Sequence, residues 1–145
     1  MNAKRVLVPV RGTAADEAAI ALAGYLAKKQ KGKVFVVYVI EVDRSLPLDA
    51  EVESQTQKAE AVLTRAEDLA GDEGYDIDTD LLQAREAGPG IVDEAVERDV
   101  GLVVMAVPYK KRLGEFRLGE TVSYVLREAP CQVLLYRGAS DVMQA

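Results

Sequence analysis

Five strand-like stretches alternate with four stretches of helical periodicity, and that alternation leaves few folds open to the chain. Lys4–Val10 (KRVLVPV), Lys33–Ile40 (KVFVVYVI) and Leu102–Val107 (LVVMAV) are short apolar runs rich in β-branched residues. Such runs suit strands buried on both faces of a sheet. Val133–Tyr136 reads as a further short strand. Tyr75–Leu82 (YDIDTDLL) alternates and is more polar, the pattern of an edge or half-exposed strand. Each is followed or preceded by a helical segment joined through a short connection, so the predicted order is β-α-β-α-β-α-β-α-β. That order implies a parallel sheet covered by helices on both faces, an α/β fold in three layers, and right-handed crossovers restrict how it can be wound.

The helices are legible from their spacing and their ends. Ala15, Ala18, Leu22 and Leu26 recur at helical intervals after Gly12 and Thr13, and Thr13 with Asp16 three residues on resembles a capping box. This helix fades through Lys28, Lys29 and Lys31, and Gly32 stops it. A second helix is predicted over Asp49–Ala70, after Pro47, with Val52, Ala59, Val62, Leu63, Ala66 and Leu69 inward and Gly71 and Gly74 bracketing its end. A third starts at Gly88-Pro89-Gly90, runs through Ile91, Val92, Ala95 and Val96, and ends near Asp99. The fourth covers Gly119–Ala129, with Val122, Val125 and Leu126 on one face and Pro130 beyond. Residues 1–137 thus read as one domain, followed by a tail over 138–145 without periodicity, expected to be flexible.

Composition removes several functions. With 18 basic and 24 acidic residues the net charge is -6. Such a chain is a poor general nucleic-acid binder, because phosphate neutralisation supplies most of that affinity, and a poor ligand for an acidic membrane surface. No stretch approaches the roughly 20 apolar residues needed to insert into a bilayer. Met1–Arg5 leads straight into a strand-like run without a secretion signal's apolar core, and Cys131 is the only cysteine; both features point to the cytoplasm. The chain has no histidine. That removes the commonest general base and zinc ligand, and it leaves Cys131 without the usual partner of a nucleophilic thiol. Asp76, Asp78 and Asp80 share one face at period two and read either as a metal site or as a charged, aggregation-resistant edge.

The region that invites a functional reading is the long connection Pro108–Leu118. Lys110, Lys111, Arg112 and Arg117 concentrate cations there in an otherwise acidic chain. A basic loop running into a helix N-terminus, just after a buried strand, is where α/β proteins hold anions. Tyr109 and Phe116 in the same loop are alternative anchors for a protein partner.

Two motifs resemble those of the universal stress proteins. The opening VLVPVRGT resembles their first strand followed by Val-Asp-Gly-Ser/Thr, and Ala129-Pro130-Cys131 with Val133-Leu134 resembles their closing Ala-Pro-Cys-Pro-Val-Leu. The resemblance spans nearly the whole chain in element order. It implies a five-stranded, mainly parallel, Rossmann-like sheet of the adenine nucleotide alpha hydrolase-like type, in the order 3-2-1-4-5. It also implies a regulatory protein rather than an enzyme, and a homodimer through the fifth strand, here Val133, Leu134, Leu135 and Tyr136. The loop sequence PYKKRLGEFRLGET further resembles domains associated with membrane transporters, which implies a transporter as regulatory partner.

The ATP motif of that family, Gly-x2-Gly-x9-Gly-Ser/Thr, is mostly absent. With Gly119 as its third glycine, Ala106 and Tyr109 take the first two positions and Glu120 replaces the hydroxyl residue, with Thr121 one step on. Arg11 replaces the acidic residue after the first strand. The glycines would allow positive φ and close approach to phosphate, and Glu120 would repel it. The expected pocket therefore combines Val10, Val39 and Met105 as an apolar slot for a base, with Gly12 and Thr13 on one side and Gly119–Thr121 on the other. Arg11 and the 110–117 cations would supply charge. Its ligand is expected to be an adenine nucleotide, a cyclic dinucleotide or another phosphorylated metabolite. A ligand-free interaction module, an ordinary ATP-binding member and a nucleotide hydrolase remain as alternatives.

Overall fold

The computed structural model describes residues 1–109, 111–112, 115–116 and 118–139, with backbone only at 111–112 and 115–116. Five parallel strands form the main sheet: β1 (Arg5–Val10), β2 (Lys33–Glu41), β3 (Ile77–Ala84), β4 (Leu102–Val107) and, at the end of the chain, β7 (Gln132–Arg137). Their spatial order is β3-β2-β1-β4-β7, which is the 3-2-1-4-5 order when the five sheet strands are counted along the chain. The connections contain α1 (Ala14–Lys29), α2 (Glu53–Glu73), α3 (Ala87–Glu97) and α4 (Glu120–Glu128). Within the long connection, β5 (Lys111–Arg112) and β6 (Glu115–Phe116) pair as a small antiparallel hairpin. The sequence reading took that segment as loop, because two-residue strands leave no periodicity to detect.

Alternation along the strands sends successive residues into two separate cores. Val6, Val8, Val34, Val36, Leu102 and Val104 pack under Ala19, Ile20 and Ala23 of α1 and Leu63 and Ala66 of α2. Leu7, Phe35, Val37, Val103 and Met105 pack against Ile91 and Ala95 of α3 and Val122 and Val125 of α4. Val6, Leu7 and Val8 of β1 are completely buried. Each such side chain contributes about 1.5–3 kcal/mol of burial free energy.

Several element ends differ from the sequence reading. The second helix begins at Glu53, not Asp49, because Ala50 N–H donates to the Pro47 carbonyl in a turn of its own. Val52 stands at its N-cap position and is exposed, so the inner face is Ala59, Leu63 and Ala66, with Val62 and Leu69 half-buried. The helix runs through Gly71 and ends at Gly74, where φ is +74°. The third strand is shifted two residues forward and lies at the sheet edge. Its aspartates are engaged individually: Asp78 pairs with Lys33 Nζ at 3.0 Å and Asp80 with Arg98 at 2.9 Å. Among the described residues no group of three acidic or cysteine side chains is placed to hold a metal ion. No helix among them is long and apolar enough to cross a membrane. Of the predicted tail, 140–145 lies outside the described residues.

Arg98 ties the α3 layer to the sheet. It donates to the buried Glu94 carboxylate at 2.6 Å and to Asp80, and its guanidinium lies 4.8 Å from the centre of the Phe35 ring. Arg5 stacks on the same ring at 4.8 Å and donates to the Arg98 carbonyl. Burial is what holds the Cys131 thiol above its ordinary pKa.

Two glycines should respond to alanine in opposite directions. A Cβ on Gly32 would press on the Lys4 backbone, with Cα at 2.7 Å, whereas one on Gly71 meets nothing within 4 Å. We expect Gly32→Ala to lower unfolding free energy by about 3 kcal/mol, as overpacking against backbone does. Gly71→Ala should raise it by about 0.5–1 kcal/mol, as alanine does in a helix; denaturant titration of both variants is the measurement. At Cys131 the raised pKa keeps the thiol protonated at neutral pH. Alkylation by iodoacetamide at about pH 8 should be slower in the native protein than in the unfolded chain. Because the unfolded thiol ionises first, stability should fall as pH rises above about 8.5.

Candidate functional site

The cleft lies where the order of the strands reverses, between β1 and β4. β1 pairs with β2 along its whole length, from Arg5 opposite Lys33 to Val10 opposite Tyr38. With β4 it pairs only at Val6–Leu102 and Leu7–Val103. Beyond Leu7 the two central strands separate, and their connections leave in opposite directions, β1 into α1 and β4 toward α4. A crevice at the carboxyl ends of the strands is the expected ligand position in such sheets. Here it encloses about 460 Å³.

Its floor is apolar. Val10, Val39, Met105 and Ala106 come from the ends of β1, β2 and β4, and Ile91 and Val122 close it from α3 and α4. Arg11 and Thr121 stand at its margins. The predicted residues Val10, Arg11, Val39, Met105, Ala106 and Thr121 are thus brought together. Gly12 and Thr13 line a neighbouring groove between α1 and α2 instead. Glu120 lines an adjoining depression with Glu41, Glu86 and Tyr124. Gly119 is the N-cap position of α4, with φ of -73° and open space where a Cβ would sit, so nothing in this geometry requires glycine there.

The β1–α1 turn differs from its expected role. Gly12 adopts φ of +88°, and a Cβ there would meet Val62 Cγ2 at 3.0 Å, so both strain and space favour glycine. The turn aims three consecutive backbone N–H groups at one point. Arg11, Gly12 and Thr13 N–H donate to Asp16 Oδ2 at 3.0, 2.7 and 2.9 Å. Asp16 is itself buried and lines the cleft. The amides around Gly12 are therefore occupied by the chain's own carboxylate and are not open donors for a ligand. A comparable contact closes α3, where Ala87 N–H donates to Glu41 Oε2 at 3.0 Å.

Sequence reading missed Lys58. It arrives from the second turn of α2, beside Gln55, and reaches the cleft together with Tyr38 and Ile40 of β2. Its surroundings in the sequence are a charged helix face, which carries no signal that one cation leans over the β1–α1 turn. The side chains of Arg11 and Lys58 have neither hydrogen bond nor ion pair among the described residues. Of the loop cations, Lys110 and Arg117 lie outside the described residues, and Lys111 and Arg112 are described only as hairpin backbone. Tyr109 faces Arg137, whose guanidinium lies 4.3 Å from its ring centre.

Comparison with known proteins agrees with this architecture. The family model described as "Universal stress protein family" matches residues 2–137. The universal stress protein MJ0531 of Methanocaldococcus jannaschii is 26% identical over 140 residues, covering 92% of this chain and 82% of its own. The universal stress protein of Archaeoglobus fulgidus in complex with dAMP superimposes with a TM-score of 0.75 at 21% identity, over 90% of this chain and 95% of that one. A universal stress protein in complex with cAMP gives a TM-score of 0.71 at 20% identity, over 92% and 96%. At those identities the two structural likenesses speak for the fold. The order of the sheet, the crevice between β1 and β4, and the match over residues 2–137 lead to one conclusion: the chain belongs to the universal stress protein family.

Proposed function

We propose that this protein is a cytoplasmic regulatory module that senses a nucleotide-like anionic ligand in the β1–β4 cleft and performs no catalysis on it. The observation that carries the reading is the pairing of an apolar floor with two cations, Arg11 and Lys58, whose side chains make no ion pair among the described residues although Asp16 and Glu41 also line the cleft. Val10, Val39 and Met105 offer a surface for a flat base, while Arg11 and Lys58 face the same space without a carboxylate partner among the described residues. Unpaired cations around an apolar slot suit a ligand that is apolar at one end and anionic at the other. The complexes of two fold relatives with dAMP and cAMP support an adenine nucleotide as the first class to test, with a cyclic dinucleotide as the second. The ATP pattern itself is a poor guide, since Ala106, Tyr109 and Glu120 stand where it has two glycines and a hydroxyl. With no histidine and no metal cluster among the described residues, the lining offers recognition rather than a poised acid–base pair.

Regulation implies a partner. We place it at the edge of β7, where Val133, Leu134, Leu135 and Tyr136 are half-buried and β7 pairs, among the described residues, only with β4. A second copy adding its own β7 would extend the sheet and cover that edge. A transporter is the further partner that the 108–121 sequence suggests.

Both halves of the reading can be measured. Thermal denaturation with AMP, ATP, cyclic AMP and a cyclic dinucleotide, each against sulfate at equal ionic strength, should single out one nucleotide. At about 100 times its dissociation constant that nucleotide should add about 2.7 kcal/mol of stability, a shift of several degrees. Arg11→Glu with Lys58→Glu should abolish the shift. A response equal for every anion, or a shift surviving both substitutions, would remove the site. Sedimentation equilibrium at micromolar concentration should give a dimer mass, and a monomer would remove the β7 interface.

A further inference from the structure

We infer, resting on the reading of the cleft as a nucleotide-type site, that its ligand carries a single phosphate held against the α2 wall, as a nucleoside monophosphate does. The acidic wall on the α3–α4 side discriminates against longer phosphate chains.

The sheet divides the charges around the cleft. Arg11 follows the end of β1 and Lys58 comes from α2, one of the two helices that cover that face. Packing fixes Lys58 there. A Cβ placed on Gly12 would meet Val62 Cγ2 at 3.0 Å and Lys58 Cε at 3.8 Å, so the lysine stem lies across the turn that carries Arg11. Gln55, three residues before Lys58 and on the same side of α2, adds an uncharged amide to the cleft. None of these three side chains has a hydrogen bond or ion pair among the described residues. Asp16 borders the same wall, but its Oδ2 is taken up by three backbone N–H groups. Counted against Arg11 and Lys58, it still leaves the wall with one net positive charge. Two cations facing one space repel each other, and an anion between them relieves that repulsion.

The other side of the cleft has the opposite sign. Glu41 lines both the cleft and the adjoining depression, where Glu86 and Glu120 join it. Glu86 is the N-cap position of α3 and Glu120 the first residue of α4. Both are exposed, and neither pairs with a cation among the described residues. Among those residues the only cation lining the depression is Arg127, which is paired with Glu128 at 3.2 Å. Ala87 and Thr121 border the cleft and the depression alike, so a ligand long enough to cross the floor from α2 reaches these carboxylates.

This polarity selects by phosphate number. A phosphomonoester carries about 1.5–2 negative charges at neutral pH, which suits a wall with two cations. A base and ribose on Val10, Val39 and Met105 then turn only uncharged groups toward the acidic side, and their N–H and O–H groups can donate to carboxylates. Each further phosphate adds charge that the α2 wall does not neutralise and carries it over the floor toward Glu41, Glu86 and Glu120. In a cleft, where the effective dielectric is below that of water, such repulsion is strengthened.

Isothermal titration at constant ionic strength, without divalent cations, compares adenosine, AMP and ATP on wild type, on Lys58→Gln and on Glu86→Gln combined with Glu120→Gln. All three substituted side chains are exposed, so each variant should keep the folded circular dichroism spectrum. Wild type should bind AMP at least about tenfold tighter than adenosine and than ATP, a difference of about 1.4 kcal/mol in each case. Lys58→Gln should lower the AMP-to-adenosine affinity ratio about tenfold, and the double glutamine variant should raise the ATP-to-AMP ratio by about the same factor. A wild type that binds ATP as tightly as AMP, or an ATP-to-AMP ratio unmoved by the glutamines, overturns the inference while the nucleotide reading stands. An AMP-to-adenosine ratio unmoved by Lys58→Gln removes the α2 wall as the phosphate position. If wild type binds none of the three, the nucleotide reading fails and the single-phosphate assignment falls with it.

Discussion

β1 is the strand on which both layers of the molecule are built. Its side chains alternate between two cores, with Val6 and Val8 under α1 and α2 and Leu7 under the α3–α4 side, and all three are fully buried. A strand loaded on both faces cannot slip by one residue without exchanging the two sets, so its register is fixed. Its pairing is uneven all the same. It is matched to β2 over six residue pairs and to β4 over two. That asymmetry leaves the crevice open at the carboxyl end, and the same ends deliver Val10, Val39 and Met105 to its floor.

Charge in the cleft is arranged in two shells. Next to the backbone, carboxylates satisfy helix amides: Asp16 at the start of α1 and Glu41 at the start of α3. Farther out, Arg11 and Lys58 carry positive charge without partners among the described residues. The Asp16 contacts stabilise the β1–α1 turn, since charge-assisted hydrogen bonds to a buried carboxylate contribute about 1.5–3 kcal/mol each, whereas Glu41 is exposed and its contact adds less. The outer cations, more exposed, add little to stability.

The rest of the polar framework serves position rather than chemistry. Arg85 donates to the Asp43 and Leu46 carbonyls at 2.7 Å each, and Gln83 donates to those of Leu48 and Ala50. These contacts fasten the irregular β2–α2 connection, and so the start of α2, from which Lys58 reaches the cleft. The Arg5–Phe35–Arg98 stack does the same at the opposite end of the sheet, joining β1, β2 and the end of α3.

The sequence by itself determined the elements and the layers. Short continuous β-branched runs bounded by turn residues suit strands buried on both faces, and the helical segments between them imply parallel crossovers. Leu102–Val107 was legible to the residue because it is a continuous apolar run, rich in β-branched residues and ended by Pro108. The α2 start was not, because the Pro47 turn, not propensity, decides it. The apolar floor was legible for the same reason as the strands, since their carboxyl ends meet at the switch point once the sheet order is known. What only the tertiary structure decided is which charges and amides are free there. Asp16 looks like an ordinary first-turn acid in the sequence, and Lys58 one of many charges on a solvated face. Hydrogen-bond direction and the packing of α2 over the β1–α1 turn have no one-dimensional pattern, so only folding reveals that the carboxylate fills the turn and that the lysine pairs with none of the described residues.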